Sequence, residues 1–459
     1  MAFIAPLKGV RYNPDLIGKI DDVVTPPYDV INENSVESFV SKTPYSMIRL
    51  DITKNPGPSD GSDARYVEAA SLFQQWLEEG ILIRDKEDSL YLYEVEYFHP
   101  PSGERRVRKG LVCLVGLAEF SEGIVKPHER TFDTVIEDRL KLTTYCQAQF
   151  SQVFSLFSDR DNKVVGLLEQ GNGKPVGTVT DADGCVHSLR QVTDPEIIKN
   201  VQYLFLEKAL YIADGHHRYT TALAYRKHIK ELRGGLSEKS PANHIMMYLC
   251  PMEDPGLSVL PTHRLLNWPG KMGAEELIER LTRGFDLEEI TVGSREVLIG
   301  EVLARMAEIE QMSPQKTSTT FGVYHPGEDR CFLLRMKPEA VNDIADKEEC
   351  LRELDVVILS DLIIEKYFDL DYHRCEQENL VRYFSDPDEA LDIAVKNCTA
   401  CEDVMPLLFV MNPTRVEQVR NVADLNRIMP HKSTYFYPKV MTGLLFNQLV
   451  HEEVINRLG

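Results

Sequence analysis

The stretch "ALYIADGHHRYTTALAYRKHIKELR", residues 209–233, constrains this chain more than any other, because it joins a strand pattern to a helix pattern with almost nothing between them. Up to Ala213 the residues are apolar and strand-like. Beyond it, Tyr219, Leu223 and Ile229 recur among basic residues as they would on a one-faced helix. Residues Asp214 to Arg218 therefore bridge a strand end and a helix N-terminus. Such a junction exposes amide groups and the positive end of a helix dipole, a favourable place to hold phosphate oxygens. Gly215 permits close backbone approach or a positive φ. Arg218 can fork onto two phosphate oxygens, and His216 and His217 can donate hydrogen bonds to more. Asp214 repels an anion, so it needs another reason: a general base, an aid to a magnesium ion carried in by a nucleotide, or a plain helix cap. The histidines equally fit polar residues at a domain junction. As a zinc half-site they are poor, since adjacent ring vectors diverge and no Cys or Glu at conventional spacing completes the set.

Charge narrows the partners. Lys plus Arg number 51 against 72 Asp plus Glu, a formal net charge of -21 over 459 residues, which repels a phosphate backbone over most of the surface. Generic nucleic-acid binding is disfavoured, while a local basic pocket is not. Nine cysteines are scattered without a disulfide frame, as in a reducing cytosol. The one tight pair, Cys398 and Cys401, has no second pair or nearby histidine to make a zinc or thioredoxin-like site. No basic-then-apolar leader opens the sequence and no uncharged apolar run approaches roughly 18 residues, so a cytoplasmic, unanchored protein is expected.

The length predicts two or three domains. The patterns suggest an α+β chain in four parts. Residues 1–150 hold a helix over "SDARYVEAASLFQQWLEEG", with Tyr66, Ala70, Phe73 and Leu77 at helical spacing, and then a long hairpin. Residues 151–269 hold the strand "VFSLF", a polar and glycine-rich meander and the DGHHR junction. Residues 270–345 read as a small α+β insertion of two helices and two strands, and 346–459 as a mixed helix and strand region.

Other polar groups qualify as site candidates. "KPHERT", 126–131, follows a probable strand, and Glu129 is a second acid/base candidate while Arg130 is a candidate phosphate or carboxylate clamp. A solvated charge run is the bland alternative. "EDR", Glu137 to Arg139, reads as capping and pairing its own helix. "TPPYD", 25–29, is a rigid turn presenting Tyr28 and Asp29, and "THR", 262–264, lies just beyond an apolar strand. "HKSTYFYPK", 431–439, sets Lys432, Lys439, hydroxyls and tyrosines together, with Lys432 the candidate nucleotide-binding lysine, although the alternation also fits a plain strand.

"IADGHHRYTTAL", together with "APLKGVRYNP", "VVTPPYDVI", "KPHERTFDTVIEDRLKL", "LPTHRLL" and "MPHKSTYFYPKVMTGLLF", resembles the domain-of-unknown-function family numbered 1015 over nearly the whole chain. It departs where that pattern has Asn-Phe-Ser-Pro: here "QFSQV" places Gln149 and Gln152. The loop itself looks like the phosphate-binding loop of the ParB/sulfiredoxin-like superfamily. That resemblance implies a ParB/sulfiredoxin-like mixed core with additional α+β subdomains. The cysteine that sulfiredoxin carries in this loop is absent, and the acidity gives no support for a DNA-binding partition protein. The branch of kinases that phosphorylate free serine fits best, its loop binding nucleotide phosphates and its aspartate lying near the acceptor hydroxyl.

The resulting expectation is a nucleotide-dependent phosphotransferase acting on a small hydroxyl metabolite, with free L-serine the first guess and ATP or ADP with Mg2+ as cofactor. Asp214, Glu129, His216 and His217 are the candidate catalytic residues. Gly215, His216, His217, Arg218, Arg130 and Lys432 are the candidates for holding the nucleotide, with no resident protein-bound metal. The expected partners are small molecules rather than nucleic acid or membrane, with a homodimer left open. A nucleotide-binding switch protein and a phosphatase or phosphoesterase stand as the alternatives.

Overall fold

The structure, a computed structural model, describes residues 2–31, 33–51, 63–171, 173–292, 294–312, 319–400 and 403–455. The chain divides into two compact units, Met1–Ser258 with Phe436–Gly459, and Val259–Tyr435.

The first unit carries strands β1 (Ile4–Ala5), β2 (Leu90–Phe98), β3 (Arg105–Gly116), β4 (Val125–Lys126), β5 (Val153–Phe157), β6 (Lys174–Thr180), β7 (Val186–Val192), β8 (Leu210–Asp214) and β9 (His244–Pro251). Its helices include α1 (Ala64–Glu78), α2 (Asp133–Cys146), α3 (Lys163–Gln170), α4 (Pro195–Phe205) and α5 (His216–Leu232). The strands form one sheet in the order β4-β8-β5-β9-β3-β2-β7-β6, with β1 against β3. β8 runs parallel to β4 and β9 parallel to β5, while the other pairs are antiparallel, so the sheet is mixed and the fold α+β. β9 is buried at every position, which is why "HIMMYLCP" is almost continuously apolar instead of alternating. One face of the sheet packs Leu92, Leu111, Ile245 and Met247 against Val164 and Leu168 of α3, Val201 and Phe205 of α4, and Tyr219 of α5.

The expected hairpin is β2 and β3, and the expected meander contains β6 and β7. Two local readings need correction. α1 buries Tyr66, Ala69, Phe73 and Trp76 rather than the stripe through Ala70 and Leu77, because the large Trp76 turns the buried face towards itself. Within the polar region 159–195 the structure adds α3, whose Val164, Val165 and Leu168 are buried.

The four-part division also gives way. β3 pairs with β9 from Leu111 to Gly116, so a boundary at 150 would cut through one sheet and separate strands that share hydrogen bonds. The residues 270–345 are likewise not separate. They join later strands in the second unit, whose sheet is built from β10 (His263–Pro269), β11 (Phe285–Ile290), β12 (Thr320–His325), β13 (Arg330–Met336), β14 (Val381–Phe384) and β15 (Val404–Val410). The order is β11-β13-β12-β15-β10-β14, all antiparallel. Val302 and Met306 of α6 (Leu298–Met312) and Ala390 and Ala394 of α7 (Pro387–Ala400) close its core with Leu333 and Leu408. Cys398 lies at the end of α7, and Cys401 falls outside the described residues. Among the described residues no helix is long and apolar enough to cross a membrane.

Candidate functional site

β8 is apolar and buried through Ala213, and its register against β5 slips between Ile212 and Asp214. The slip marks the end of regular pairing. Gly215 then takes φ 96° and ψ 30°, the left-handed conformation that an L side chain adopts only with strain, and α5 starts at the next residue. Gly215 is the N-cap residue and no side chain caps the helix, so Asp214 is not the cap. The first helical bond runs from the Tyr219 amide to the Gly215 carbonyl at 3.0 Å, leaving the amides of residues 216–218 ahead of the ladder.

Asp214 is instead held by two cations. Arg218, one turn on, donates Nη2–H to Oδ2, and Lys439 donates from Nζ to Oδ1 at 2.7 Å. The three side chains are only 10–14% exposed. Arg218 sends Nη1–H to the Gln152 carbonyl, while its Nε–H has no partner among the described residues. A side chain expected to fork outward onto phosphate thus lies folded beneath the loop, where a Cβ on Gly215 would come within 3.0 Å of Arg218 Nε.

The two histidines fasten the KPHERTF loop. His216 Nε2 accepts the His128 amide at 3.2 Å, and His217 Nε2 accepts the Phe132 amide at 3.0 Å. Accepting at Nε2 puts the proton of each neutral ring on Nδ1. The His217 ring stacks on Phe132 at 5.6 Å, and His128 meets His216 edge to face at 4.6 Å. Burial pushes the His128 pKa down to about 4 and holds that of His216 well below the ordinary histidine value, so this pair is neutral. Glu129 Oε2 lies 3.8 Å from His216 Nδ1, with its side chain 20% exposed.

The structure therefore brings Asp214, Gly215, His216, His217, Arg218 and Glu129 together. Arg130 is exposed in the same loop and pairs with no described residue. Lys432 belongs to the second unit, where its carbonyl accepts from Arg264 at 3.1 Å. The lysine that meets Asp214 is Lys439, seven residues later and in the first unit. His263 of the "THR" group is fully buried in the second unit and accepts the Met411 amide, which makes it a packing residue there.

Beside the loop lies a group that sequence reading missed. Arg139 of α2 donates Nη1–H to buried Asp51 at 2.6 Å and Nε–H to Asp138 at 2.8 Å, and stacks over Tyr28 at 4.6 Å. Arg139 pairs with its own helix as expected, but its buried partner is 88 residues away. Nothing in "IRLDI" marks Asp51 as that partner. Tyr28, from the proline turn, does reach this group. Of the two glutamines that depart from the family pattern, Gln149 accepts the Met246 amide and the Asn447 side chain, whereas the buried Gln152 Nε2 has no partner among the described residues.

Among the described residues no cluster of three or more His, Cys, Asp or Glu could hold a metal ion. Both Asp214 oxygens are engaged by cations, and the loop's second carboxylate, Glu129, is 20% exposed.

No curated protein matches the chain. Solved structures resemble it weakly. A free serine kinase variant in complex with ADP covers 71% of this chain and 91% of its own, at 13% identity and a TM-score of 0.32. A conserved hypothetical protein from Pyrococcus furiosus covers 76% and 94% at 13% identity and 0.30, and SbnI from Staphylococcus aureus covers 74% and 90% at 10% and 0.32. Superpositions this loose carry no argument about function. The sequence itself is decisive on kinship: the model of a protein family of unknown function, DUF1015, matches residues 4–357, and the chain belongs to that family.

Proposed function

We propose that this protein is a nucleotide-dependent phosphotransferase for a small hydroxyl-bearing metabolite, with free L-serine the acceptor to test first. The observation that carries the reading is the uncapped start of α5 at a strand end, with two cations offsetting the carboxylate beside it. Asp214 contributes one negative charge, and Arg218 and Lys439 two positive ones. The amides of residues 216–218 and the helix dipole add to that positive balance, so a phosphate meets attraction rather than repulsion. Asp214 acts here as a positioning residue that fixes Arg218 and Lys439.

Glu129 is the base in this reading. It is partly exposed and lies 3.8 Å from the neutral imidazole of His216. The acceptor oxygen forms a bond to the terminal phosphorus as the bond from phosphorus to the bridging oxygen breaks. The shortened nucleotide departs with that electron pair, and the acceptor proton passes to Glu129. Magnesium bound to the nucleotide would supply charge neutralisation. A nucleotide-binding switch is the second reading, favoured by the double pairing of Asp214, which leaves that carboxylate no oxygen for chemistry.

The test is thermal denaturation with ATP, ADP, CTP and AMP plus magnesium, followed by mass spectrometry of hydroxyl metabolites incubated with whichever nucleotide stabilises. Stabilisation together with a phosphorylated product supports the phosphotransferase. Stabilisation without product selects the switch, and no stabilisation by any nucleotide overturns both. Release of inorganic phosphate from phosphometabolites without nucleotide would select a phosphoesterase.

A further inference from the structure

The face of the first unit's sheet opposite α3 and α4 carries Tyr93, Arg108, Phe154, His187 and Tyr248, which the strand register sets on one side. Residues 436–441 lie over that face, with the Phe436 ring 5.7 Å from Phe154 and the Tyr437 ring 5.4 Å from Tyr97. Residues 438–441 belong to no helix or strand, so no ladder of backbone bonds fixes the stretch that carries Lys439. Two side chains of the sheet hold it instead, one on each side of the lysine. Arg108 donates Nη1–H to the Tyr437 carbonyl at 3.1 Å, and the Met441 amide donates to Tyr93 Oη at 3.2 Å. Each anchor is braced from within the sheet. Arg108 is fully buried and lies 4.8 Å from the Phe154 ring and 5.4 Å from that of Tyr248. Phe154 is also the register partner of Asp214, so one β5 residue packs beneath both ends of the Lys439–Asp214 pair. Tyr93 begins a chain: its Oη lies 2.9 Å from His187 Nδ1, and His187 Nε2 lies 3.1 Å from Asp181 Oδ2. A carboxylate only accepts, so Nε2 carries a proton, and burial holds His187 below the ordinary histidine value, so the ring is neutral and Nδ1 accepts. Tyr93 therefore gives its one O–H to His187 and meets the Met441 amide with a lone pair. Asp181 is fixed in turn by the amides of Asp183 and Cys185, at 3.0 and 2.8 Å from Oδ1.

We propose that Arg108 and the Asp181–His187–Tyr93 chain are positioning residues for Lys439, setting the backbone on either side of it so that its ammonium meets Asp214. A lysine stem is flexible, and its ammonium is a point charge without the directing fork of a guanidinium. Holding Nζ at 2.7 Å from Asp214 Oδ1 therefore depends on where the Lys439 backbone stands, which the bonds at Tyr437 and Met441 decide. The chain carries that control from the turn at Asp181, between β6 and β7, to the loop that opens α5. Deleting the Tyr93 hydroxyl frees the Met441 amide and, with it, the course of the backbone two residues from Lys439. The further step, that the placed ammonium serves a phosphate, rests on the phosphotransferase reading.

The experiment is timed acetylation of the intact chain with acetic anhydride, read by mass spectrometry as the rate at Lys439 divided by the rate at Lys208. Lys208, with its side chain 19% exposed and paired with Asp159 in the same unit, reports general loosening. In the wild-type protein Lys439, 14% exposed and paired, should react no faster than Lys208. Tyr93→Phe and Arg108→Met, which delete an anchor and keep the bulk of the side chain, should each raise the ratio about tenfold, the change in equilibrium that one lost buried hydrogen bond corresponds to. Tyr91→Phe is the matched control. It removes a buried phenol two residues along the same strand that also accepts an amide and donates to a carboxylate, but the amide is that of Gly9. It should lower the melting temperature as Tyr93→Phe does and leave the ratio unchanged. A ratio unmoved by either anchor substitution, a ratio raised equally by Tyr91→Phe, or a wild-type Lys439 that reacts faster than Lys208 overturns the proposal, and either anchor variant decides alone if the other does not fold. Thermal denaturation with ADP and magnesium keeps the two readings apart. A raised ratio with no nucleotide stabilisation of the wild-type protein would keep the positioning role and discard the phosphate site, whereas nucleotide stabilisation with an unmoved ratio would do the reverse.

Discussion

Lys439 Nζ donates to Asp214 Oδ1 at 2.7 Å across a sequence separation of 225 residues, and the same carboxylate receives Arg218 through its other oxygen. The consequence is an unequal response to substitution. Asp214→Asn leaves two largely buried cations without their anion and should cost about 3–5 kcal/mol, while Lys439→Met leaves the Asp214–Arg218 pair and should cost about 1–3 kcal/mol. Urea denaturation of the two single variants and the double variant should return a coupling of about 0.5–3 kcal/mol. Strict additivity would mean that the pair contributes nothing as a pair.

Gly215→Ala should destabilise the chain by about 1–3 kcal/mol, since an L side chain is strained in the left-handed region. Its φ is 96°, and the added Cβ would meet the Arg218 guanidinium at 3.0 Å. Thermal denaturation measures the cost. A loss under about 0.5 kcal/mol would show that the loop can relax into another turn.

Acid should weaken the first unit before carboxylate titration is complete. The folded chain keeps His128 neutral down to about pH 4, whereas the unfolded chain protonates it near the ordinary value of about 6.5. The unfolded state therefore binds more protons across that window, and stability falls as pH falls through it, by up to about 3 kcal/mol from this residue. His216 acts in the same direction, and His263 does so in the second unit. Urea midpoints between about pH 7 and pH 4 should slope less steeply in His128→Gln than in the wild-type protein. Parallel slopes would sink the assignment.

Glu129→Gln should keep the nucleotide-induced thermal shift and lower turnover by about 10² or more, because it removes a proton acceptor and no cation. Asp214→Asn should lower binding and turnover together, through release of Arg218 and Lys439. The opposite pattern, with binding kept in Asp214→Asn and turnover kept in Glu129→Gln, would return the base role to Asp214.

What the sequence reveals of this site is its local half. Strand, glycine and helix sit within one turn of each other in the chain, so "ALYIADGHHRYTTALAYR" discloses the junction directly, and the KPHERTF loop announces itself by its density of polar residues. What it conceals is pairing at long range. Arg218 looks like an outward clamp until its partners, Asp214 and the Gln152 carbonyl, are seen. The histidines look like phosphate donors until their Nε2 atoms are found accepting amides from the neighbouring loop. Lys432 and Lys439 are indistinguishable in "HKSTYFYPK", because the choice between them depends on a crossing from one compact unit to the other at Tyr435. Asp51 carries no motif at all, and its role follows from Arg139 being buried with it.

The separation between Asp214 and Lys439 also has a temporal meaning. A ribosome adding about 5–20 residues per second makes Lys439 on the order of 10–45 seconds after Asp214. In that interval the whole of Val259–Tyr435 is synthesised, and β1 to β9 have all emerged while the lysine that completes the loop has not. The nascent chain thus carries a nearly complete sheet whose anion has one cation instead of two. Such a chain is held in waiting by its own gene order, and it gains its second counter-charge only as the closing segment emerges.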